Sequence, residues 1–307
     1  MKRQDEFRIF YNHTIHPELM RMELKRKRVL RLMLISSVLL VGLIVIELYL
    51  NILAITLIGG VIIAFYISWL VYQAQRFRQT FKPSIVSLLL DFLDDSLNYS
   101  DFSYNEKKYF PKSLFVASKM FDGVPYFYKG EDYIKGRIGS VQFELCEVLV
   151  QNLSPVNKKV FPVFKGIFLH SHLSSDQKGN VLVIPRHRKQ FHGRSIRNFI
   201  EAGGSQVEII YDALFKNTFV VYASPFTNIR DFLSDDLQKL IANYYANTKR
   251  DIFISFVDNQ LFLFLDEPDE FLEPYLFRSN VSFKLIDNFF RDIQLVMTIV
   301  EDFDRIY

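Results

Sequence analysis

The chain has 307 residues, half of them hydrophobic, with a net charge of +3 and one cysteine. A lone cysteine excludes an internal disulfide and fits a reducing compartment. Residues 1–82 carry 12 Lys/Arg against 5 Asp/Glu, and residues 227–307 carry 8 against 15; the basic end suits anionic lipid, and the acidic end argues against nucleic acid as a partner.

Residues 1–28 read as a basic amphipathic segment. Phe7, Phe10, Tyr11, Ile15, Leu19, Met22 and Leu24 recur mostly at three- and four-residue spacing, which predicts a helix broken near His16-Pro17. The many charged and polar residues ahead of the apolar run do not form a cleavable signal peptide. Residues 29–82 read as a transmembrane hairpin with basic flanks. Roughly 20 apolar residues cross a bilayer core of about 30 Å, so the charge-poor run Leu32–Tyr72 holds two spans. A turn around Glu47–Asn51 keeps Glu47 out of hydrocarbon, where an acid costs about 3 kcal/mol. Lys25, Arg26, Lys27, Arg28 and Arg31 precede the run, and Arg76, Arg78 and Lys82 follow it. Two positive flanks require an even number of crossings, with both termini and the main domain on the cytoplasmic side of the inner membrane. Tyr66, Trp69 and Tyr72 then mark that interface. Gly60, Ala64 and Ser68 form a small-residue stripe expected to pack on the first span, or on a second copy in a homo-oligomer.

Residues 83–307 read as a cytosolic α+β domain, an antiparallel sheet with amphipathic helices. Pro83 opens a helix with Ile85, Leu88, Leu89, Phe92, Leu93 and Leu97 on one face. Ser100–Phe110 has no clear period, and Pro111 starts a short helix through Lys119. Strands follow at Tyr126–Ile134, Val141–Val150, Val160–His170 and Val181–Ile184, separated by Lys135-Gly136 and by loops at Asn152–Asn157 and Ser174–Asn180. After a basic loop come strands at Val207–Tyr211 and Phe219–Ala223 with a helical turn at Asp212–Phe215 between them. A helix at Asn228–Ala246, a hairpin of Ile252–Val257 with Leu261–Leu265, and a helix at Phe283–Phe303 complete the chain.

Several local motifs come in a familiar order: Gly130–Gly136 with the strand through Glu144 and Glu147, Val163–Phe168, Phe215–Ala223, Ile254-Ser255-Phe256, and Phe271-Leu272-Glu273-Pro274. With Tyr11, Pro17 and the paired spans, this order resembles the uncharacterised bacterial family named domain of unknown function 3137. The chain departs from that family at Lys216 and at Ser224-Pro225, where the family carries acids. The resemblance implies architecture and a LemA-like membrane protein as partner; it implies no activity.

The chemistry-bearing motifs are sparse. There is no phosphate loop, HExxH zinc motif, nucleophile elbow or paired-cysteine metal site, and no cofactor is expected. Gly136-Arg137-Ile138-Gly139 reads as a hairpin turn. Glu131 and Asp132, adjacent on a strand, are expected on opposite faces, unable to share a proton. Four of the six histidines, His170, His172, His187 and His192, fall within 23 residues. A metal site built from them competes with the plainer reading as polar surface residues, which the cations Arg186, Arg188, Lys189 and Arg194 around them favour. The stretch Arg186–Arg197 has Arg186, Arg188, Lys189, Arg194 and Arg197 interleaved with Phe191 and Ile196; its readings are a solvated loop, an anionic-lipid contact, and a contact with nucleic acid or an acidic protein. The acidic run Asp266, Glu267, Asp269, Glu270 and Glu273 lacks calcium-loop spacing. The sequence therefore points to a membrane-anchored, non-enzymatic interaction or scaffold protein, with a membrane-tethered enzyme as the alternative.

Overall fold

The computed structural model describes residues 4–50, 53–94, 99–154, 158–172, 179–208, 210–266 and 272–305. Asn51 of the expected membrane turn lies outside them, as do Leu97, parts of the 152–157 and 174–180 loops, Ile209, and residues 267–271 of the acidic run. The chain divides into two compact units, residues 2–92 with 272–288 and residues 93–271 with 289–307.

The first unit is helical: α1 (Gln4–Phe10), a π-helical stretch (Tyr11–Ile15), α2 (His16–Leu50) and α3 (Leu53–Asp94). The break expected at His16-Pro17 does not occur. Pro17 has no N–H to give the helix, and the wider π turn just ahead of it, where the His16 N–H bonds the Tyr11 carbonyl, lets the rod continue. Pro83, expected to open a helix, sits inside α3. Near it the Ser84 hydroxyl bonds the Thr80 carbonyl at 2.8 Å. The rods run antiparallel, because a side chain on Gly59 would strike Leu43 near one end while Phe10 stacks on Phe92 at 4.6 Å at the other. Phe7, Tyr11, Ile15 and Leu19 are buried at the base of the unit, as are Phe81, Ile85, Leu89 and Phe92. Phe283 closes edge-on against Tyr11 at 4.9 Å.

Further along, the apolar side chains turn outward. Val38, Val41, Val45, Leu48, Ile58, Ile62 and Phe65 are all exposed, and both rods are long and apolar enough to cross a membrane. The stripe expected to join them lies on the wrong side. Ala64 and Ser68 are exposed and a Cβ on Gly60 would meet nothing, so the close approach falls to Gly59, about 100° round the helix. Two residues of the basic flanks are also not free charges. Buried Arg26 forks onto Glu23 and donates to the Leu276 carbonyl at 2.6 Å, and buried Lys82 pairs with Glu273 at 3.3 Å.

The second unit holds a nine-stranded sheet: β1 (Tyr99–Asn105), β2 (Phe127–Ile138), β3 (Val141–Leu153), β4 (Val160–His172), β5 (Val181–Pro185), β6 (Ser205–Gln206), β7 (Phe219–Ala223), β8 (Ile252–Val257) and β9 (Gln260–Asp266), ordered β1-β2-β3-β4-β9-β8-β5-β7-β6. Every pairing is antiparallel. Short helices α4 (Lys112–Ala117), α5 (Gly193–Glu201) and α6 (Ala213–Thr218) join the longer α7 (Asp235–Thr248) and α8 (Phe283–Arg305), whose last 17 residues belong to this unit. The architecture is α+β.

Strand periodicity sorts the side chains by face. On one face Phe168 stacks on Phe264 at 4.5 Å, with Phe115 of α4, Phe121 and Ile196 of α5 packed into the same core. On the other, Phe256 meets Phe232 at 5.1 Å and Phe219 meets Tyr245 of α7 at 5.8 Å. Beyond them Tyr244 and Arg250 both bond the Asp292 carboxylate of α8. With both faces covered, β5, β7 and β8 are buried at every position.

Local differences from the sequence reading have physical causes. The turn expected at Lys135-Gly136 falls at Gly139-Ser140, where Gly139 takes φ +55°; Gly136 instead stays in β2, because a Cβ there would strike the Phe102 and Phe143 rings. Ser100–Phe110 contains most of β1, a polar edge strand. The strand expected at Val207–Tyr211 is replaced by the two residues of β6, and part of the expected basic loop is α5. The helix expected from Asn228 starts at Asp235, where Ser234 accepts the Leu237 N–H at 3.1 Å as its cap.

Candidate functional site

The most unusual polar arrangement grows from a bulge in β2. Glu131 pairs with Glu147 and Ile134 with Leu145, so Asp132 and Tyr133 together face Cys146. Asp132 takes φ +60°, a left-handed conformation that Asp tolerates better than most residues. That extra residue removes the strict alternation that would have put Glu131 and Asp132 on opposite faces. Instead, oxygens of Glu131, Asp132 and Glu147 all lie within 4.8 Å of one another. Asp132 and Glu147 are buried. The Tyr104 hydroxyl of β1 donates to Asp132 at 2.5 Å, and burial, then the Asp132 charge, pushes the Tyr104 phenol above its ordinary range. Three carboxylate oxygens this close together could hold a cation. The expectation that the adjacent acids point apart is corrected by the bulge, which nothing in the alternation of β2 announces.

The four histidines do not converge. His170 and His172 project from one side of β4, as their spacing predicts, with ring centroids 4.7 Å apart. His170 Nε2 lies 2.9 Å from Gln260 Oε1, and burial lowers its pKa. His187 faces Asp251 at 3.2 Å. His192 is buried against Phe121 and Phe253, its Nδ1 3.0 Å from the Met120 carbonyl. Burial pushes it down to about 4, so it is neutral at pH 7 with the proton on Nδ1. Among the described residues, only the three carboxylates form a group of metal-ligand geometry.

The basic stretch is largely tied into the unit. Arg186 donates to the carbonyls of Lys216, Asn217 and Phe219, and Arg188 pairs with Asp251 at 2.6 Å. Lys189 bonds Gln206 at 3.2 Å and Arg194 pairs with Asp122 at 3.0 Å. Arg197 is exposed on α5. The Cys146 thiol is buried in the sheet, pushed up to about 12 by burial, and serves the core.

A family model described as "Protein of unknown function (DUF3137)" matches residues 162–305. Over these residues the chain is similar to the DUF3137 family. The matched range covers nearly all of β4 and everything through α8, including Val163–Phe168, Phe215–Ala223 and Ile254–Phe256. The Gly130–Gly136 motif, the carboxylate cluster and both long apolar helices precede the DUF3137 match. No curated protein and no solved structure matches the chain.

Proposed function

We propose that the chain is a membrane-anchored, non-enzymatic interaction or scaffold protein. Helices α2 and α3 hold it in the cytoplasmic (inner) membrane, and both termini and the sheet unit lie in the cytoplasm. The observation that carries the reading is the band of exposed apolar side chains on both rods, from Leu34 to Tyr49 and from Leu57 to Tyr72. In water that band would be an aggregation liability; in lipid it is a solvated surface. Exposed Lys25, Lys27, Arg28, Arg31, Arg76 and Arg78 border it at one end, which supports the cytoplasmic assignment of that end. The sheet unit then presents its surface to a protein partner, for which the family resemblance suggests a LemA-like membrane protein.

A reporter fused after Tyr307, active on only one side of the membrane, tests the topology. Cytoplasmic activity is expected, and activity on the outer face overturns the hairpin. Chemical cross-linking in intact cells, followed by capture from gently solubilised membranes, tests the role; a stoichiometric protein partner is expected. The convergence of Glu131, Asp132 and Glu147 favours a second reading as a membrane-tethered enzyme. Capture of a small molecule or metal lost on Glu147→Gln, with no protein partner, would select it.

A further inference from the structure

Between the rods, at the basic end of the apolar band, lies an open groove of about 830 Å³. Both walls belong to the helical unit. Met22, Leu70 and Phe77 are buried in its floor, and Val29 and Leu32 of α2 continue the apolar wall toward the band. Tyr66 and Trp69 of α3 stack at 5.8 Å beside it, each roughly half exposed. Amphipathic rings of this kind settle at the level of lipid headgroups. Lys25 and Arg28 enter from α2 and Arg76 from α3, about two turns above Trp69 on the side away from the band. The one acid in the lining, Glu18, lies about two turns beyond Lys25 and is paired with Arg21 at 3.5 Å. Among the described residues, Lys25, Arg28 and Arg76 make no ion pair.

We propose that this groove binds one anionic phospholipid of the cytoplasmic leaflet, its phosphate between Lys25, Arg28 and Arg76 and its acyl chains running past Val29, Leu32 and Trp69 into the band. Three cations brought together from facing helices repel one another unless an anion sits among them. A basic pocket between membrane helices on the cytoplasmic side suits an anionic headgroup. The apolar floor requires more than a free phosphate, because it needs apolar chain to cover it. Charge and hydropathy change along the same groove in the order headgroup, glycerol, chain, so a diacyl lipid meets both ends at once. This site is separate from the Arg186–Arg197 stretch, most of whose cations already have partners.

The proposal rests on the membrane reading above, and the test separates the two. The full chain is reconstituted in mixed phosphatidylglycerol and phosphatidylcholine, and retained lipid is identified by native mass spectrometry. Wild type should keep phosphatidylglycerol in preference to phosphatidylcholine. Lys25→Ala/Arg28→Ala/Arg76→Ala should lower retention about a hundredfold, near fivefold per cation. The matched control Lys27→Ala/Arg31→Ala/Arg78→Ala removes the same charge from the same helices outside the groove, and should stay within about twofold if a defined site is responsible. Val29→Trp fills the groove without altering charge and should also release the lipid, with the melting temperature in detergent checking that each variant folds. Equal losses in both triple variants, full retention by Val29→Trp, displacement of the lipid by inorganic phosphate, or a protein segment occupying the groove in its place would each overturn the proposal. Extraction of wild type from membranes by alkaline carbonate would instead overturn the membrane reading.

Discussion

The two units use similar side chains in opposite ways. In the sheet unit Phe168, Phe262, Phe264 and Leu263 are buried to within about 1 %, and both faces of the sheet are covered. In the helical unit, Leu48, Ile58, Ile62 and Phe65 stand at 65 % exposure or more. A hydrophobic side chain is stabilising only relative to the solvent it leaves, so the same composition describes a core in one unit and an outward-facing band in the other, which the proposed membrane anchoring assigns to lipid. Polar groups invert in parallel. The base of the helical unit buries Arg26 with Glu23, whereas the sheet unit carries pairs such as Lys119–Asp258, Lys129–Glu131 and Arg194–Asp122 on its surface.

The largest effects should come from breaking the sheet core. Phe264→Ala removes a ring stacked on Phe168 and packed edge-on by Phe115, Phe121 and Phe164; a loss of about 3–5 kcal/mol is expected, read as a collapse in the melting temperature of the full chain in detergent. The matching truncation Ile62→Ala in the exposed band should barely move that temperature. A comparable loss there would mean the band is covered by protein and not by lipid.

Introducing charge sharpens the contrast from the other side. Val41→Arg or Ile62→Arg should cost about 2.5–3.5 kcal/mol of membrane insertion near the bilayer centre, measured as the fraction surviving alkaline carbonate. If the band faces water, the same changes should fall within about 0.5 kcal/mol.

The buried histidines give the sheet unit a pH response of defined sign. His192 binds its proton at about 4 when folded and near 6.5 when unfolded. The unfolded chain therefore takes up protons first, and stability present above pH 6.5 is lost as pH falls toward 4, by up to about 3 kcal/mol. His170, lowered in the same direction, adds to it. His192→Asn keeps a donor for the Met120 carbonyl without titrating, so melting curves at pH 7 and pH 4.5 should draw closer together, leaving the contribution of His170. An unchanged acid sensitivity would assign the effect to other groups.

The smallest test concerns the rods. Gly60→Ala should be neutral or slightly stabilising, because nothing lies within reach and Ala favours helix by about 1 kcal/mol. Gly59→Ala gains the same propensity and must displace the end of the Leu43 side chain, so it should be the less stable of the two by about 1 kcal/mol. The reverse order would restore the Gly60-Ala64-Ser68 face as the contact between the rods.

Much of this protein was legible from residue order alone. The apolar run at Leu32–Tyr72, its basic borders and the strands β2, β3, β4, β5, β7, β8 and β9 follow from local pattern, since a long uncharged stretch marks a span and a strand shows either apolar alternation or a short apolar run between turn residues. What escaped depended on neighbours. β1 is polar because it borders only one strand, so its sequence carries little apolar alternation. Pro17 read as a break and Pro83 as a helix start because the chain alone does not show the π turn or the helix that carries past them. Arg26 and Lys82 read as lipid-facing charges until Glu23 with the Leu276 carbonyl, and Glu273, came beside them. The carboxylate cluster needs one inserted residue to reverse the facing of Asp132, and the headgroup groove needs two helices that meet only after 40 residues of intervening chain. Local propensity sets each element's period; which side of it meets protein, lipid or water is decided by the partner it packs against, and only the folded chain supplies that partner.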